Sequence, residues 1–125
     1  MDLSNVSPIT REIQILHPKT SEPTGLVIRL LPPTHPKVRA ARDRAIQENI
    51  QAARKRVTLS EADKETSAVK QLAPAVEGWE WTGDAEFKGE KLAFNEANVH
   101  AVLKVEWIRN QIDKELGDEA AFFPD

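Results

Sequence analysis

Proline placement constrains this chain more than any other feature. Prolines stand at 8, 18, 23, 32, 33, 36, 74 and 124, leaving 37–73 and 75–123 free of them. The ring fixes φ and removes a backbone donor, so proline is accommodated in a helix's first turn, at a sheet edge or in a turn. Regular structure is therefore expected to start and stop at these positions.

Residues 1–8 are polar, end in Pro8 and read as a flexible N-terminus. "REIQIL" (11–16) alternates polar and apolar residues, while "GLVIRLL" (25–31) is β-branched with Leu26, Ile28 and Leu30 on one face. The intervening "HPKTSEPT" is rich in turn formers, so an antiparallel β-hairpin is predicted over 11–31. An isolated hairpin is marginal in water and must lean on a helix or on another subunit. "PPTHP" (32–36) stops the second strand, with Thr34 or His35 placed just ahead of a helix that carries Pro36 in its first turn.

Apolar residues at 38, 41, 45, 46, 50, 53 and 57 have helical spacing and predict a helix over 36–57. Its stripe is mostly alanine, with Ile46 and Ile50 as the larger members. A second helix is expected over 60–76, capped by Thr58 with Glu61 or Ser60 with Asp63. Ala62, Val69, Leu72, Ala73 and Val76 form its apolar face, and Pro74 should kink or end it near Ala73. Asn95 is placed to cap a helix over 95–104. Trp107, Ile108, Ile112 and Leu116 continue the helical spacing over 106–116, with Gly117 as C-terminal cap. The fold class is thus mainly α, of the α+β type: a small N-terminal antiparallel β-hairpin followed by about four helices. One domain is expected over 9–117, ahead of an acidic, aromatic tail over 118–125.

Composition narrows the function. Net charge is −3, so no overall field draws the chain to nucleic acid or anionic lipid. The absence of cysteine excludes disulfides, thiolate metal sites and cysteine nucleophiles. No apolar run approaches the roughly 20 residues of a membrane span, and the acidic "MDLSNVSP" start does not resemble a signal peptide. The charge is uneven. Residues 35–56 carry seven cations against Asp43 and Glu48, a balance of +5, while 106–125 carry six acids against Arg109 and Lys114. These segments are complementary, within one chain or between copies.

Catalytic groups do not converge in the sequence. His17, His35 and His100 lie in different segments, and Glu96 with His100 is a two-residue pair lacking the second histidine of a zinc motif. Phosphate-loop, nucleophile-elbow and metalloprotease patterns are absent. The chain is therefore expected not to be an enzyme, with no catalytic residue, cofactor or metal. The basic helix lacks both a contiguous cationic stripe and interleaved aromatics, so nucleic-acid binding is disfavoured.

The aromatic residues carry the positive signal. Trp79 and Trp81, in "GWEWTGDAEFKGEKLAF" (78–94), are read as pointing to opposite sides of an extended stretch that joins two helical pairs. One would anchor the core and the other lie nearer an interface. Trp and Phe bury large area with few rotatable bonds, as interface anchors do. Trp79, Trp81, Trp107, Phe122 and Phe123 are the candidate partner-binding residues.

The order "GWEW", a charged glycine-containing turn, "KLAFNEANVHAVL", "VEWIRNQID" and "DEAAFF" resembles the tail assembly chaperones of long-tailed bacteriophages and prophages. Trp79, Trp81, Leu92, Phe94, Asn98, Val99, Leu103, Trp107, Ile108, Ile112 and Phe122 occupy the matching positions, all within 78–123. The chain departs from the family in lacking a proline near Val105, where a helix break is expected. The resemblance implies a non-enzymatic chaperone of the tape measure protein, acting in the bacterial host cytoplasm and self-associating. It also implies contact with the tail tube protein through a longer, frameshifted product. Arg54, Lys55 and Arg56 are the residues expected to serve self-association, in a heterologous contact between basic and acidic segments. The alternatives are a neck or minor tail protein retained in the virion, and a small nucleic-acid-binding regulator.

Overall fold

The computed structural model describes residues 1–124; Asp125, the last residue of the expected tail, lies outside them. The predicted hairpin is present as β1 (Arg11–Leu16) and β2 (Pro23–Leu30), paired antiparallel with Ile13 opposite Ile28. A register shift falls between Gln14 and Leu16, where the Thr24 hydroxyl donates to the Ile15 carbonyl at 2.7 Å. Alternation does the rest: Ile13, Ile15, Leu26, Ile28 and Leu30 turn to one face and are buried.

The helices follow closely. The His35 ring accepts from the Lys37 amide and caps α1 (Pro36–Arg54), with Pro36 in its first turn. Ser60 and Asp63 form the reciprocal capping box of α2 (Glu61–Leu72). The chain then turns at Pro74 through one 3-10 turn, Ala73–Ala75. The Leu31 amide donates to the Ala75 carbonyl at 2.8 Å, delivering the following residues to the free edge of β2.

That delivery corrects the expectation for the tryptophan segment. Val76–Trp81 is a third strand, β3, rather than the end of a helix and a linker between helical pairs. It pairs antiparallel with β2, giving the order β1-β2-β3, with Ile28 opposite Trp79 and Leu26 opposite Trp81. Residues two apart on a strand share a face. Trp79 and Trp81 therefore both point to the helix side, half-buried, and the expectation of opposite sides is overturned. Gly25 keeps β2 close to the loop after β3. Its φ is +101°, and a Cβ there would stand 2.5 Å from the Thr82 carbonyl oxygen.

Asn95 caps α3 (Glu96–Leu103) through a 2.8 Å bond from the Asn98 amide, and α4 spans Glu106–Leu116. The break comes without proline. Val105 is extended, and the Arg109 guanidinium donates to the Leu103 carbonyl at 3.0 Å, satisfying one of α3's terminal acceptors. Ile108, Ile112 and Leu116 are buried at i, i+4 and i+8, which leaves Trp107 about 100° off the buried line and 37% exposed.

Helices cover one face of the sheet, and the core lies between these two layers. It supports only the first half of α1. Val38, Ala41 and Ala45 are buried, whereas Ile46 and Ile50, the expected larger members of the stripe, are 48% and 39% exposed. At 1.5 Å per residue α1 is about 28 Å long and outruns the sheet. Its distal half leans on the first turns of α2, where no residue before Val69 is buried. No helix among the described residues is long and apolar enough to cross a membrane.

The tail belongs to the body. Phe122 is fully buried in the core, and its carbonyl accepts the Ile9 amide at 2.7 Å. Its neighbour Phe123 stays 36% exposed.

Candidate functional site

The tryptophans begin a ladder of rings that leaves the core at one place. Trp81 meets Trp79 edge-to-face, with centroids 5.7 Å apart, and Trp79 meets Phe94 the same way at 5.4 Å. The Trp79 indole N–H donates to the Leu92 carbonyl at 2.9 Å, whereas that of Trp81 is buried with no acceptor among the described residues. Lys91 pins the loop from the other side. Its ammonium donates to the carbonyls of Trp81, Gly83 and Ala85 at 3.1, 2.9 and 3.2 Å, one for each N–H.

Phe94, 45% exposed, ends the ladder on the wall of a groove of about 540 Å³ between α1, α2 and α3. Ala41 and Ala45 leave room there because their side chains stop at Cβ. Pro74, Val76 and Val99 complete the apolar lining. Lys37, Arg44, Lys70 and His100 stand around it with Glu48 and Glu96. The groove is therefore an open apolar channel with a mixed, slightly cationic border.

Its acid–base chemistry is sparse. The His100 Nε2 atom lies 4.0 Å from a Glu96 oxygen, beyond hydrogen-bond length, and the Glu96 side chain is 91% exposed. Among the described residues no three His, Cys, Asp or Glu side chains cluster as metal ligands would.

The candidate residues are scattered. Trp79 and Trp81 touch one another behind the groove. Trp107 and Phe123 are exposed but do not line it, and Phe122 is sealed in the core. Phe122 is thus unavailable to a partner in the folded chain. Arg54, Lys55 and Arg56 are exposed at the far end of α1 and in the turn beyond it. Among the described residues, no cation of 35–56 forms an ion pair, with the acidic end or with any other segment. The acidic segment's one ion pair with the strands, among the described residues, is Arg11 with Glu115, joining β1 to α4.

Sequence reasoning missed Ala41, Ala45 and Lys70 as groove residues and gave Phe94 no binding role. An i, i+4 pair of alanines on an otherwise apolar face was the available signal. Comparison with protein-family models, curated proteins and solved structures finds no match.

Proposed function

We propose that this chain is a non-enzymatic protein-binding factor: a tail assembly chaperone of a long-tailed bacteriophage or prophage, holding the tape measure protein in the host cytoplasm. The observation that carries the reading is the groove. An open channel lined by Ala41, Ala45, Pro74, Phe94 and Val99 suits the apolar face of a helical client. Cations around it add charge contacts at the border, where they favour encounter more than affinity. The C-terminal resemblance supplies the identity of the client, and a frameshifted longer product would supply contact with the tail tube protein.

Self-association is part of the same reading. Among the described residues the cations of 35–56 pair with no carboxylate, which favours their meeting an acidic segment of a neighbouring copy. Replacing Arg54, Lys55 and Arg56 by Gln should lower the oligomer mass, and an unchanged mass would remove this element.

Co-expression with the tape measure protein of the same phage or prophage tests the whole. The client should become soluble and co-purify with the wild-type chain, and should be lost with Phe94→Ser. A client that stays insoluble and unbound sinks the reading. Recovery of the chain from purified virions would support the structural tail or neck alternative instead.

A further inference from the structure

The flank of α1 away from the groove is open to solvent beyond Arg42, which itself lines a small cleft with Leu72 of α2 and Asp113 and Leu116 of α4. Arg39, Arg42, Ile46, Ile50 and Ala53 follow one another at spacings of three, four, four and three, so they form one stripe along the helix. All five are exposed, and Val57 extends the stripe past the helix end at 53% exposure. Glu48 and Arg44 point to the groove on the opposite flank.

Charge frames this apolar centre. Arg39 and Arg42 stand at one end of the stripe, and Arg54, Lys55 and Arg56 at the other. Asp43 and, across the small cleft, Asp113 are the acids on its border, and among the described residues neither forms an ion pair with Arg39 or Arg42. A stripe with isoleucines at its centre and cations at both ends complements a helix with an apolar face and carboxylate flanks.

Other occupants fit less well. Two copies of the stripe packed against each other would bring arginine against arginine. The exposed positions of α4 are Glu106, Trp107, Asn110, Asp113 and Lys114, so a neighbouring copy's acids can meet Arg54, Lys55 and Arg56 without filling the isoleucine stripe. Nucleic acid would leave Ile46 and Ile50 unused, and α1 has no aromatic on which a base could stack.

We propose that this stripe docks an acidic amphipathic helix of a protein partner, in helix-on-helix fashion. From Arg39 to Ala53 the stripe is about 21 Å long, which matches a partner helix of about 14 residues. The surface is separate from the groove and does not depend on the client assigned to it.

A fluorescent helix-forming peptide of about that length, with Leu on one face and Glu on the others, is the probe, and its Lys-for-Glu counterpart is the control. Fluorescence anisotropy with the full chain should show the Glu peptide binding at least about tenfold more tightly than the Lys peptide. The difference should shrink at about 1 M salt, where screening acts over about 3 Å. Ile46→Ser with Ile50→Ser should weaken binding about tenfold or more, since both side chains are exposed and their loss spares the core. Arg39→Glu with Arg42→Glu should shift preference towards the Lys peptide, while Phe94→Ser in the groove should change nothing. Several outcomes overturn the proposal: no binding, equal binding of both peptides, or full affinity in the double Ile variant. Tighter binding of a DNA duplex than of the Glu peptide would overturn it in favour of a nucleic-acid surface. A change in the chain's own sedimentation on replacing the isoleucines would overturn it in favour of a self-interface.

Discussion

The indole N–H of Trp79 and the backbone carbonyl of Leu92 are joined by a 2.9 Å hydrogen bond, and this bond sets where Phe94 stands. Leu92 is fixed by Trp79, and Phe94, two residues on, closes edge-to-face onto the same indole. A core contact at the edge of the sheet thus places the exposed ring of the groove. Trp79→Phe keeps an aromatic ring but removes the donor, leaving the Leu92 carbonyl unpaired. The expected cost is about 1 kcal/mol. Urea unfolding should show a lower midpoint with unchanged slope, and under the proposed function the tape measure protein should bind more weakly because Phe94 is no longer held.

Gln111 and Leu16 make a second relationship of this kind. The side-chain amide accepts from the Leu16 N–H and donates to its carbonyl, both at 2.8 Å. Leu16 ends β1, an edge strand, and an edge with free amides and carbonyls invites pairing with other chains. Gln111→Ala should cost about 1 kcal/mol or less, because water replaces the lost partners at an exposed site. The larger effect expected is faster exchange of the Leu16 amide and concentration-dependent aggregation. Unchanged exchange at Leu16 would show that α4 does not protect this edge.

The sequence disclosed the elements that local chemistry specifies. His35, Ser60 and Asn95 cap the helices where capping residues were expected, and the hairpin strands alternate as written. It disclosed the extended character of the tryptophan segment but not its pairing as β3, because the partner of Trp79 is Ile28, far upstream. Glu80 between two tryptophans was a period-two signal, and it should have put both rings on one face. Helical periodicity showed which residues of α1 share a side. It did not show how far the core extends beneath them, so Ile46 and Ile50 were placed inside. The groove was illegible for a related reason: it exists because Ala41 and Ala45 stop short and because a tertiary hydrogen bond positions Phe94.

Phe122 and Phe123 are adjacent in sequence and opposite in environment. Phe122 is fully buried beneath the sheet and helices, while Phe123 is 36% exposed. Phe122→Ala should therefore cost about 3–5 kcal/mol, a large share of a small domain's stability. Phe123→Ala should lie within about 0.5 kcal/mol of wild type. Removing residues 118–125 should unfold the chain for the same reason. Thermal unfolding of the three variants decides the matter, and a folded truncated chain would show that Phe122 is dispensable.

Arg56 occupies the position after α1 where a left-handed residue ends the helix. Its φ is +54°, the Val57 amide donates to the Ala52 carbonyl at 3.0 Å, and the Arg56 amide donates to Ala53 at 3.1 Å. This is the paired-bond helix ending that glycine usually fills, because a side chain in the left-handed region costs about 1–2 kcal/mol. Arg56→Gly relieves that strain, less what the more flexible glycine loses on ordering, for a net gain of about 0.5–1 kcal/mol. Arg56→Ala removes the same charge and keeps the strain, so it should give no gain. The pair separates two roles of one residue. If Arg56 serves self-association through its charge, both variants weaken the oligomer equally, and only Arg56→Gly raises the urea midpoint. Equal midpoints for the two variants would show that the helix end is not strained.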